Sequence, residues 1–91
     1  MSPYMGGSAP AMASQVADGY TLVSAPQLKR LLDNELDQLQ VELEKIVRDI
    51  RSEPMNLEDI PAINARNRKI SRITGALQQI QMTKLKRRRG A

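Results

Sequence analysis

Apolar residues recur at helical spacing over two stretches of the chain. Between Ser24 and Ser52, the residues Leu32, Leu36, Leu39, Leu43, Ile46 and Ile50 follow one another in steps of three and four. Such steps place side chains on one line of a helix, and a line kept up this long marks a helix that packs lengthwise against another. A second line, Ile63, Ile70, Ile73, Leu77 and Ile80, keeps the same spacing, with Arg66 where an apolar residue was due.

The residues between these lines set their limits. Ser24 is a good N-cap, Pro26 falls in the first turn, and Gln27 completes a capping box. Pro54 cannot continue a helix, so the first helix is predicted over 25–53. Asp59 can cap a second helix with Pro61 in its first turn, which predicts 60–88. The fold expected is all-α: a long antiparallel helical hairpin that turns over 53–56. A turn centred near Asn56 would pair Leu43 with Ile70, Leu39 with Ile73, Leu36 with Leu77, Leu32 with Ile80 and Ile50 with Ile63. It would also set Glu42 beside Lys69, and Arg66 opposite Ile46 within reach of Asp49.

Residues 1–19 are rich in Gly, Ser, Ala, Pro and Met and read as a flexible N-terminal tail, ahead of the hairpin domain at 20–91. Tyr20 to Val23 reads as an extended lead-in, with Leu22 and Val23 packed on the helix start. A short strand pairing across a dimer is the other reading.

One seam buries little apolar surface for the number of residues it orders. Leu28, Leu31, Val41, Val47, Met82 and Leu85 lie off the seam, and Gly75 and Ala76 form a small-residue patch on the second helix. These eight residues form the expected protein interface. Their expected partner is a second copy, giving a homodimeric four-helix bundle, or another helical protein.

Composition narrows the chemistry. The chain has no Cys and no His, which removes thiolate and imidazole catalysis and the usual zinc ligands. It has no glycine-rich phosphate-binding motif. The paired carboxylates Asp33 with Asp37 and Glu58 with Asp59 read as solvated helix charges. No enzyme activity and no cofactor are expected. No apolar run is long enough for a bilayer span, and the N-terminus lacks the pattern of a secretory signal. The expected location is therefore cytoplasmic, or nuclear in a eukaryote given the basic C-terminal run.

Charge is the last signal. The net charge is +4. The first helix carries slightly more acids than bases, whereas 57–89 holds nine basic residues against two acidic ones. Arg66, Arg68, Lys69 and Arg72 make one basic group, and Lys84, Lys86, Arg87, Arg88 and Arg89 another. Dense cations suit phosphate backbones, but they also complement a helix C-terminus. Two functions follow from the sequence. The first is a non-enzymatic interaction or assembly module that uses its heptad seam. The alternative is a dimeric nucleic-acid-binding accessory protein that contacts DNA or RNA through the basic helix and tail. With so few aromatics, base stacking on single strands is not expected.

Overall fold

The computed structural model describes Tyr4 and residues 7–89. Among these the chain is all-helical, with α1 at Ala9–Asp18, α2 at Ala25–Lys29, α3 at Asp33–Ser52 and α4 at Ile60–Arg89. No described residue is in a strand. Residues 1–3, 5 and 6 of the expected tail, and 90–91 at the other end, lie outside the described residues.

The largest correction concerns the tail. Residues 9–18 form a packed helix rather than a flexible segment. The Ser8 hydroxyl accepts from the Ala11 N–H at 3.2 Å, and Pro10 sits in the first turn. Gly19 ends the helix in the left-handed conformation, φ 83°, where only glycine is unstrained. Its N–H bonds the Val16 carbonyl at 3.2 Å, and that of Tyr20 bonds Gln15 at 2.9 Å. Ala9, Met12, Ala13, Val16 and Ala17 fall on one face, and all are buried. That face packs against both α3 and α4. Small side chains let the helix lie close, so the burial denied by composition is supplied by proximity.

The second correction concerns the expected first helix. It is two helices, interrupted at 30–32. Leu32 is extended, φ −72° and ψ 164°, and its N–H donates to the Glu35 carboxylate at 2.7 Å. The interruption rotates Leu28 and Leu31 into the core, while Leu32, assigned to the seam, is 66% exposed. At the start of α2 the Ser24 N–H bonds Gln27 Oε1 at 3.1 Å, as the capping box requires. Leu36, Leu39, Leu43, Ile73 and Ile80 are fully buried, and Ile46, Ile50 and Leu77 pack against them. Tyr20 to Val23 is an irregular connection. Val23 touches the core, Thr21 is buried, and Leu22 points to solvent.

Polar pairs fix how α3 meets α4. Asp33 pairs with Arg87 at 2.7 Å, Asp37 with Lys84 at 2.5 Å, and Gln40 with Gln81 at 3.3 Å, ascending on one helix and descending on the other. Gln40 thus sits roughly nine residues, about 13 Å, farther along α4 than a turn centred at Asn56 would give. At equal rise, the end of α3 lies level with about Lys69. The first turns of α4 therefore run beyond α3, with residues 53–59 folded back alongside them. Ile50 and Met55 line one groove with Ala62, Ala65 and Arg66. Glu42 pairs with Lys45 at 3.3 Å, not with Lys69.

Tyr4 adds a tie at the start of α3, its hydroxyl donating to the Glu35 carbonyl at 2.8 Å. Burial, with the Glu35 carboxylate adding to it, raises the phenol pKa. Its stabilisation is present below the ordinary phenol value of about 10 and is lost as pH rises through the folded-state value. No helix among the described residues is long and apolar enough to cross a membrane.

Docking of α1 is open to test. Met12→Ala should lower stability by about 2–5 kcal/mol in urea denaturation, the usual cost of truncating a buried methionine. A loss under about 0.5 kcal/mol, the range of surface changes, would mean that α1 is not packed.

Candidate functional site

The residues expected to form a protein interface do not share one surface. Leu28, Leu31 and Ala76 are buried within the chain itself, because α2 packs on α4 and α1 occupies the space left for a partner. Val47 is half-buried against the core. Val41 on α3 and Met82 and Leu85 on α4 are exposed. Gly75 is exposed as well, and a Cβ placed there would meet nothing.

The cations expected to bind phosphate divide in the same way. Arg72 reaches α1, where its Nε and one terminal nitrogen donate to the Ala17 carbonyl at 3.0 and 2.8 Å. Lys69 pairs with Asp18 at 3.4 Å beside it. Lys84 pairs with Asp37 and donates to Gln40 Oε1 at 2.7 Å. Arg87 spans the break between α2 and α3. It pairs with Asp33 and donates to the carbonyls of Leu31 at 2.6 Å and Leu28 at 3.2 Å. Arg68, Lys86, Arg88 and Arg89 remain exposed. Arg66 is half-buried, and its Nε is buried without a hydrogen-bond partner.

Two surfaces result, at opposite ends of α4. At its start, Met55, which lines the groove that holds Arg66, is 43% exposed, and Leu57 and Ile60 nearby in the chain are 75% and 57% exposed. The sequence reading places Met55 in the turn, Leu57 just after it and Ile60 at the start of the second helix, and gives none of them a role in association. At its end the exposed cations are joined by Lys29 of α2, which lines a groove with Met82 and Lys86. Lys29 and Arg30 are exposed, and neither stood out in a sequence where α2 was part of a longer acidic helix. Among the described residues, no group of three or more His, Cys, Asp or Glu is placed to hold a metal ion. No protein-family model, curated protein or solved structure matches the chain.

The division of cations predicts unequal effects. Arg72→Ala should cost about 1–3 kcal/mol in thermal or urea unfolding, since it removes charged hydrogen bonds from a helix end. Arg68→Ala should stay within about 0.5 kcal/mol. Equal effects would contradict the clamp.

Proposed function

We propose that this chain is a non-enzymatic helical interaction module. In this reading α3 and α4 form a long antiparallel hairpin, α1 fills the hairpin's groove, and the projecting start of α4 is the association surface. The observation that carries it is the exposed apolar end made by Met55, Leu57 and Ile60. Burying a leucine or isoleucine is worth roughly 1.5–3 kcal/mol each, and these three exposed residues fall within six positions of one another at the start of α4.

The partner favoured is a second copy, meeting this end with its own uncovered stretch of α4. Four helical segments then surround the contact. A side-by-side dimer is less well supported, because Leu28, Leu31 and Ala76 are already used inside the chain.

Light scattering coupled to size exclusion tests this. The native chain should run as a dimer at micromolar concentration. Leu57→Glu with Ile60→Glu should run as a monomer with unchanged helicity by circular dichroism. A native chain that is monomeric throughout that range would sink the self-association reading.

A further inference from the structure

The outer face of α4 makes no use of the residues it carries. Asn64, Arg68, Ser71, Gly75 and Gln78 are exposed and follow one another in steps of three and four, and Met82, Leu85 and Arg89, also exposed, carry the stripe on at the same spacing. Over its thirty residues α4 holds no Asp or Glu. Three of the acids that reach α4 are already occupied: Asp33 and Asp37 by Arg87 and Lys84, and Asp18 by Lys69. Asp59 spends its carboxylate on the Ala62 N–H at 3.2 Å. The face thus mixes positive charge with amide and hydroxyl groups, and Met82 and Leu85 add apolar surface toward its basic end.

Gly75 is the second observation. Glycine inside a helix costs stability against alanine, and internal packing does not account for it, since its open side meets nothing. A glycine placed so lets an outside surface approach the backbone closely. Cations stand on both sides of it, with Arg68 two turns before, and Lys86 and Arg89 three to four turns after. Lys29 from α2 widens the second group.

We propose that this face of α4 seats in the major groove of duplex DNA. A helix with its side chains is about 10–12 Å across, and the B-form major groove is about 12 Å wide. The A-form groove of duplex RNA is too narrow for side chains to read, which favours DNA. Gly75, midway along the stripe, brings the helix axis near the groove floor, and Arg68 before it and Lys86, Arg89 and Lys29 after it reach phosphates where the straight helix leaves the curving groove at either end. The amides of Asn64 and Gln78 face base edges or sugar oxygens, as these side chains do in groove-bound helices. The inference does not depend on self-association, because the association surface is at the other end of the cationic stripe.

The test is fluorescence anisotropy with the full chain and a labelled DNA duplex of about 24 base pairs. Binding should weaken roughly a hundredfold between about 50 and 200 mM salt, as four released counterions require. The variant with Arg68→Ala, Lys86→Ala and Arg89→Ala should bind at least tenfold more weakly and lower the salt slope by about 0.9 per cation removed. Gly75→Leu adds no charge and improves helix propensity. It should leave the melting temperature unchanged or higher while weakening DNA binding at least fivefold. Absence of binding at low salt, or Gly75→Leu binding like the native chain, overturns the groove seat. Equal affinity for duplex RNA overturns it too. So does preferential capture by vesicles containing phosphatidylserine, or competition by polyglutamate as effective as by unlabelled duplex. The Leu57→Glu, Ile60→Glu variant separates the two readings. Its monomer should retain duplex binding.

Discussion

The carbonyl ends of two helices are held by arginines from a third. A helix leaves its last C=O groups without partners, and they need donors from elsewhere. In α1 the turn at Gly19 supplies donors to the carbonyls of Gln15 and Val16, which leaves Ala17 for Arg72. At the end of α2 the Leu28 carbonyl accepts from the Leu31 N–H, and Arg87 adds a second donor there and one to the Leu31 carbonyl in the break. Arginine suits both places, because its planar fork makes two directed bonds and stays charged at any ordinary pH. Positive charge at a helix C-terminus also complements the dipole. The short elements are therefore secured to α4 by hydrogen bonds, and their apolar faces close over it.

This use of charge reshapes the electrostatic surface. Nine cations and no anions along one helix would repel one another in isolation. Four of them, Lys69, Arg72, Lys84 and Arg87, are turned inward onto carboxylates or carbonyls. Asp18 of α1 and Asp33 and Asp37 of α3 are spent in the same pairs. What remains outside is a cationic stripe with little opposing charge, which a net charge of +4 does not suggest. Exposed pairs of this kind contribute little to stability singly. Their larger effect is on which charges are left exposed.

Much of this was legible in the sequence, and the failures have physical causes. The seam residues Leu36, Leu39, Leu43, Ile73 and Ile80 read correctly because long apolar side chains at helical spacing leave few alternatives. The start of α4 followed from Asp59 and Pro61. Helix α1 was missed although its signals are present: Ser8 and Pro10 at one end, Gly19 at the other, and apolar residues at 9, 12, 13, 16 and 17 between them. Four of its apolar positions are alanine or valine, which composition alone counts as tail. The break before Asp33 has no Pro or Gly to announce it. Leu32 is capped locally by Glu35, but the bonds from Arg87 to the carbonyls of Leu28 and Leu31 come from a residue distant in sequence, and no local pattern carries a contact of that kind. The same holds for the inward turn of Arg72. Interface residues such as Leu28 and Ala76 were misplaced because the helix that covers them had not been counted.

The length of α4 ties these results together. At thirty residues it is about 45 Å long, against about 30 Å for α3. A tight turn would have forced the two helices level and hidden the apolar start of α4 against α3. The seven residues at 53–59 instead let α3 stop short, so that the Asp33, Asp37 and Gln40 pairs form with the far end of α4. Registering the helices at the basic end is what uncovers the apolar end. Self-association at Leu57 and Ile60 would then join two cationic stripes in one particle. Two stripes on one duplex would gain from effective concentration as well as from added phosphate contacts. A mismatch in helix length thus sets an exposed apolar end and an exposed cationic end at opposite ends of one helix.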